Sequence, residues 1–280
     1  GGSVMDTAKV VMASLGTDKK SLPDLIAFTG PYKYKLPSIF IPTTHGTGSE
    51  VTMWGTIWNM KEEKKYSISH PDLYPSVAIL DGNLTLSLPL DISITTVMDA
   101  LSHSLEAIWN KNANNTSTDF AISAVCSILR NVEALKQTPS DLSIRNKLLN
   151  ASTVSGLAFS NTTTAAAHSM SYPLTIHYEI PHGVASSIGL IPLLEINGEF
   201  IKDPLNRICK NLELTYDGLK QMIKIIPQGV IPYTLEAWGI PKDQLPKLAD
   251  ESFTKGRMNN NIVDLKTDDV LIILKELYSD

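Results

Sequence analysis

Apolar residues near the start of the chain fall at Val4, Ala8, Val11 and Leu15, a spacing that predicts a helix over 3–15 entered from a glycine turn. Short apolar runs follow. Residues 38–41, closed by Pro42, and 77–80 read as strands, the latter continuous enough in apolar character to be buried on both faces. Residues 50–59 alternate as a further strand, ended by a charged turn at 61–65. After Pro89 the pattern changes to long amphipathic stretches at 95–110, 119–135 and 140–159. Shorter helical segments follow at 186–196, 219–226, 244–251 and 268–278. Residues 91–95 supply caps for the first long helix, and the polar stretch 110–118 reads as a mobile loop. The prediction is α/β plus all-α: a partial α/β layer over residues 1–90, then an all-helical part over 91–280.

At 280 residues and 43% hydrophobic, the chain can bury a sizeable core. A net charge of -5 gives no basic face for a phosphate backbone, so no nucleic-acid partner is expected. Cys126 and Cys209 lie in helical segments without Cys-x-x-Cys spacing, which predicts buried free thiols in a reducing compartment. No apolar run is long enough to cross a bilayer and no signal-like segment opens the chain; a cytoplasmic protein is expected. The chain opens at Gly1-Gly2-Ser3 without an initiator methionine, and a helix entered at once from a glycine turn leads us to expect a missing upstream strand.

The candidate chemistry centres on four residues. Asp99-Ala-Leu-Ser-His103 has the i,i+4 spacing that puts both side chains on one helical face, while His168 and His182 come from a later loop region. Three imidazoles and a carboxylate suit Fe²⁺ or Zn²⁺ better than Mg²⁺ or Ca²⁺. Spacing alone leaves open a surface pair at Asp99 and His103 and hydrogen-bonded core histidines at 168 and 182. The Gly1-Gly2-Ser3 helix start, with Asp6 and Lys9 following, offers free N–H groups to a phosphate, although Asp6 and Lys9 also fit an ordinary solvated role. The loop Thr43-Thr44-His45-Gly46-Thr47-Gly48-Ser49-Glu50 follows a strand, where α/β folds bind ligands; a polar turn is its plain alternative. His70 before Pro71 reads as structural, His177 as peripheral, and Trp54, Trp58 and Trp109 as core or pocket wall.

These segments together resemble the iron-containing, group III alcohol dehydrogenases. The resemblance rests on Gly1–Lys9, on 42–50, on the helix Asp99-Ala-Leu-Ser-His103-Ser-Leu-Glu-Ala107, and on His168 with Pro181-His182-Gly183; Asn259-Asn260 and Thr267-Asp-Asp269 also match. It implies a Rossmann-like dinucleotide-binding layer followed by a helical metal-binding domain, the architecture shared with dehydroquinate synthase. It implies Asp99, His103, His168 and His182 as ligands of a catalytic Fe²⁺ or Zn²⁺. For NAD or NADP it implies Gly2, Ser3, Asp6, Thr43, Thr44, Thr47, Thr52 and Lys65, with Leu84 as a further cofactor candidate. A homodimer is a family-level expectation. Two departures bear on substrate: Tyr172 stands where many alcohol-active members have a second histidine, and His45 where a small residue is usual.

A narrower similarity, in Trp54-Gly-Thr-Ile-Trp58, Lys65-Tyr-Ser-Ile-Ser-His70 and the segment after Ile108, is to the phosphonoacetaldehyde reductase branch. It makes His45, Trp54, His70 and Tyr172 substrate candidates, with His45, His70 and Lys64 as donors to a phosphonate. The implied activity is reversible NAD(P)H-linked reduction of a small aldehyde to a primary alcohol. The alternatives are a general alcohol dehydrogenase or lactaldehyde reductase, a dehydroquinate synthase-like lyase, and an inactive metal-binding fragment.

Overall fold

The computed structural model describes residues 1–59 and 64–279; the centre of the charged turn expected at 61–65 and the side chain of Lys64 lie outside them. The first part holds helices α1 (Gly2–Thr17) and α2 (Leu22–Ala27) with strands β1 (Ile39–Phe40), β2 (Trp54–Asn59), β3 (Lys64–Ser69) and β4 (Val77–Ala78). Strands β1 and β4 pair in parallel with Ile39 opposite Val77; β2 and β3 form an antiparallel hairpin with Trp54 opposite Ser69. The remainder is helical: α3 (Leu90–Ile108), α4 (Asn115–Gln137), α5 (Leu142–Thr162), α6 (Ala166–Tyr178), α7 (His182–Ala185), α8 (Leu190–Asn197), α9 (Lys202–Leu212), α10 (Tyr216–Ile225), α11 (Leu245–Glu251) and α12 (Thr267–Glu276). No single helix among the described residues is long and apolar enough to cross a membrane.

Several local expectations are corrected. The strand expected at 50–59 begins only at Trp54, because residues Ser49–Val51 close into a 3₁₀ turn entered through Gly48 at φ +56°. Strand β3 was not foreseen: only Ile68 of its apolar residues is fully buried, so its alternation is weak in sequence. The 77–80 strand is not buried on both faces; Val77 is 47% and Ile79 44% exposed, since the β1–β4 sheet has two strands among the described residues. The loop expected at 110–118 is ordered by Asn114, whose side chain and Ser117 form a reciprocal capping box that starts α4 early. Helix α6 was expected as loop, and Cys209 is half-buried rather than buried.

Helix α1 turns the opposite way from its apolar stripe. Val4, Val11 and Leu15 face outward, and the buried face carries Met5, Lys9, Met12, Ala13 and Gly16. Lys9, left by the sequence between the phosphate-side helix start and a solvated role, is fully buried: its ammonium lies within 3.1 Å of Ser49 O, Ser49 Oγ, Thr52 Oγ1 and Trp54 O. Burial lowers its pKa to about 8, opposed by Asp6 and Glu50. This contact docks α1 onto the 49–54 segment and closes a small apolar core of Met5, Met12, Leu25, Phe40, Ile68 and Leu73.

The large core belongs to the helical part, with α3 at its centre. Every residue of α3 from Val97 to Ile108 is buried, which is the condition of a helix packed on all sides. Arg145 on α5 fixes the start of α3: its guanidinium donates to Ser93 Oγ (2.7 Å), Leu88 O (3.0 Å) and Pro139 O (2.7 Å). Replacing Lys9 by Met should lower unfolding free energy by about 3 kcal/mol, because it leaves buried acceptors without their donor. Equilibrium urea unfolding measures this; a loss within error would show that the Lys9 contacts do not hold α1.

Candidate active site

Helix α3 presents Asp99, His103 and Glu106 on one side, one turn apart. The Asp99 carboxylate is the hub. Its Oδ1 lies 3.6 Å from His168 Nε2 and 3.8 Å from His182 Nε2, and its Oδ2 lies 4.0 Å from His103 Nδ1. These separations are too long for hydrogen bonds. They suit atoms grouped around an ion, since ligands about 2.1 Å from a tetrahedral metal stand roughly 3.4 Å apart. Asp99, His168 and His182 each offer a ligand atom within 4.8 Å of the others. His103 is outside that group, its ring stacked between Phe159 (4.0 Å) and His168 (4.5 Å).

The donor set fits a borderline divalent cation. His168 Nε2 and His103 Nδ1, the ring nitrogens nearest Asp99, are buried without a hydrogen-bond partner among the described residues. His168 sits in the first turn of α6 rather than in a loop. Its Nδ1 meets Glu106 Oε2 at 2.5 Å, while its backbone N–H donates to Glu106 Oε1 at 3.1 Å. That fixes the ring so that Nε2 faces Asp99, the arrangement of a carboxylate behind a metal-binding imidazole. Burial pushes the His168 imidazole down, but Glu106 and Asp99 outweigh it and raise its pKa to about 9. Burial lowers His103 to about 4, against the pull of Asp99. His182 opens α7, which approaches α3 through Gly183: a Cβ there would stand 2.1 Å from Thr95 O.

The glycine turn and the threonine loop line the same cleft as these residues, about 350 Å³ in volume. Gly2 faces Thr47, where an added Cβ would come within 2.6 Å of the methyl group, and Thr44 Oγ1 is a buried hydroxyl with no partner among the described residues. Such close backbone approach and free donors fit a diphosphate. Asp6 accepts from Ser49 Oγ (2.7 Å) and Thr56 N (2.9 Å), so it fixes this part of the lining. Ser3, Thr52, Trp54, Lys65 and Tyr172 also line the cleft. Lys65 Nζ lies 3.8 Å from the Tyr172 ring centre; burial raises that phenol, but Lys65, Arg257 and His168 bring it to about 8.

Four residues expected at the site are not brought to the cleft. His45 is fully buried beside Thr96, held neutral by burial with its pKa near 4. His70 stacks on Tyr32 at 4.1 Å, and its Nδ1 accepts from Asp72 N. Thr43 Oγ1 accepts from Gly1 N at 2.9 Å outside the lining, and Leu84 is 46% exposed on the 82–85 turn.

The description "Fe-containing alcohol dehydrogenase family, C-terminal" matches residues 93–278, and "Iron-containing alcohol dehydrogenase" matches residues 1–82. The chain belongs to the iron-containing alcohol dehydrogenase family. It is 33% identical over 272 residues to long-chain-alcohol dehydrogenase 1 of Geobacillus thermodenitrificans, covering 92% of this chain and 68% of that protein. It is 34% identical over 212 residues to the probable alcohol dehydrogenase EutG of Escherichia coli, covering 76% and 53%. The chain therefore spans between about half and two thirds of these relatives. Among solved structures, sulfoacetaldehyde reductase from Bifidobacterium kashiwanohense in complex with NAD+ superposes with a TM-score of 0.89 at 30% identity, covering all of this chain and 74% of that one. A 1,3-propanediol oxidoreductase gives 0.88 at 26%, covering 99% and 75%. Iron-containing alcohol dehydrogenases are oxidoreductases that use a metal and a nicotinamide dinucleotide, and the donor set and glycine cradle here fit both.

Glu106 had no assigned role in the sequence reading, although it lies on the same face of α3 as Asp99 and His103. Arg257 also lines the cleft and was not singled out. In an iron-containing alcohol dehydrogenase whose His168 is oriented this way, Glu106→Gln should weaken Zn²⁺ binding about 10- to 100-fold. Competition with a chromogenic chelator reads the affinity; wild-type affinity would remove Glu106 from the site. Gly183→Ala should also lower metal content, because the new methyl group must push α7 and His182 away from α3; elemental analysis of the purified variant tests this.

Proposed function

We propose that the chain is a metal-dependent, NAD(P)H-linked reductase of small aldehydes that also oxidises the corresponding primary alcohols. Residues 1–90 would contribute the cofactor side and residues 91–280 the metal side. The observation that carries this reading is the single cleft lined both by the glycine turn and by Asp99, His168 and His182. When bound, Fe²⁺ or Zn²⁺ supplies Lewis-acid polarisation of a carbonyl and NADH or NADPH supplies the hydride. His103 completes the ligand set, Glu106 orients His168, and Gly2, Ser3, Thr44 and Thr47 hold the dinucleotide.

The rest of the lining positions substrate and excludes water. Trp54 packs on Phe159 at 5.6 Å, and Trp58 stands edge-on to both Tyr172 and His182 at 6.1 Å. The Tyr172 hydroxyl, with a pKa near 8, can hold or give up a proton at Oη close to neutral pH. The finer reading is reduction of phosphonoacetaldehyde to 2-hydroxyethylphosphonate. It is supported by the local matches at 54–58, 65–70 and 108–114 and by a structural relative that acts on another short anionic aldehyde.

Protein reconstituted with Fe²⁺ or Zn²⁺ should oxidise NADH or NADPH in the presence of a small aldehyde and lose that activity on chelation. Metal binding without turnover on any aldehyde would refute the reading. Tyr172→Phe should lower kcat about 10-fold or more and flatten the pH profile near 8, measured by initial rates across pH; an unaltered profile would remove Tyr172 from proton handling.

A further inference from the structure

We propose that Arg257, with Lys65 taken from the cofactor set expected by resemblance as a second cation, binds the anionic tail of the aldehyde, a phosphonate or a sulfonate, and so sets a preference for charged over neutral substrates. The proposal rests on the reductase reading above and adds the substrate class and the residue that selects it. Both side chains line the cleft that holds His168, His182 and Tyr172. Neither pairs with a carboxylate among the described residues, unlike the other lysines and arginines that form ion pairs at the surface. Arg257 Nη1 donates to Gly256 O at 2.8 Å, which leaves the greater part of a five-donor planar fork for a ligand.

The cleft's own carboxylates do not neutralise this pair. Asp6 is engaged by Ser49 and Thr56 on the glycine-turn wall, and Asp99 is surrounded by imidazoles at the metal centre. Two cations in a confined, partly apolar space focus a positive potential there. Lys65 Nζ lies 3.8 Å from the Tyr172 ring centre, and Arg257 lines the same cleft.

The guanidinium is carried on a loop fastened beside the metal centre. Thr254 N donates to Ser169 Oγ at 3.0 Å, one residue after His168. Asn260 Nδ2 donates to Gly256 O (2.8 Å) and to Thr164 O (2.9 Å), and Gly256 N donates to Asn259 Oδ1 (2.9 Å). Gly256 itself turns the chain at φ +77°. The adjacent asparagines that stood out in the sequence therefore hold Arg257 in register with the helix that bears His168. His45 and His70, the donors first expected for a phosphonate, are both outside the cleft.

The test compares wild type with Arg257→Gln, both metal-loaded, on phosphonoacetaldehyde, sulfoacetaldehyde and propanal. The kcat/KM ratio of the preferred anionic aldehyde to propanal should fall about 10- to 100-fold, chiefly through KM, and Arg257→Lys should recover part of it. Which of the two anions loses more identifies the tail. In parallel, calorimetric binding of ethylphosphonate should weaken to the same degree and fall with added salt. An unchanged ratio, an equal loss on propanal, or a KM rise confined to NADH or NADPH would overturn the proposal. So would inorganic phosphate binding as tightly as ethylphosphonate, which would mark a general anion site. If no aldehyde is turned over, the reductase reading fails, and the ethylphosphonate comparison still decides whether Arg257 binds an organic anion.

Discussion

Burial of the Asp99 carboxylate at the centre of α3 is the constraint around which the helical part is arranged. An ionised carboxylate enclosed on every side is costly unless charge and hydrogen bonds compensate it. Three imidazoles converge on it, and Ser186 Oγ donates to Oδ1 at 3.1 Å. Apart from His103 on α3 itself, those partners come from two further elements, α6 and the α7 segment, and each must approach α3 closely. Gly183 lets α7 lie against Thr95, and Gly46 lets the threonine loop lie against Thr96, where a Cβ would stand 2.7 Å from the carbonyl oxygen. The same contacts that balance the carboxylate thus bring the loop and the histidines to one cleft.

A buried cation does the corresponding work in the first part of the chain. Lys9 gathers acceptors from the 49–54 segment, and its helix is thereby held with the Gly2-Ser3 turn beside Thr47. Glu50, raised by burial and bonded to Thr153 Oγ1 at 2.7 Å, continues the connection into α5. The glycine turn and the threonine loop are therefore set by polar groups satisfied inside the protein rather than by a broad apolar interface. Rigid support of this kind keeps donors in place without a cost at the moment of binding.

The charges along the cleft divide its labour. Hydroxyls beside the glycine turn, a carboxylate with imidazoles, Lys65 over the Tyr172 ring and Arg257 all line it. On the reading proposed above, substrate preference and proton handling would reside apart from the metal centre, on β3, on α6 one turn beyond His168, and on the loop before Asn259.

The sequence by itself determined what local periodicity and spacing can encode. The Asp99–His103 pair shares a helix face because of a 3.6-residue repeat, the glycine loops mark close approach, and the change of pattern after Pro89 separates a strand-bearing part from a helical one. Tertiary structure decided which faces meet. It turned α1 so that Lys9 rather than Val4 is inside, since four acceptors outweigh an apolar stripe. It buried His45, sent His70 to stack on Tyr32, and brought Glu106 behind His168 across a gap of sixty-two positions. It also brought Arg257 into the cleft that Lys65 lines. None of these follows from neighbouring residues, because each depends on packing between elements distant in the chain, where one close helix approach fixes the position of every side chain it carries.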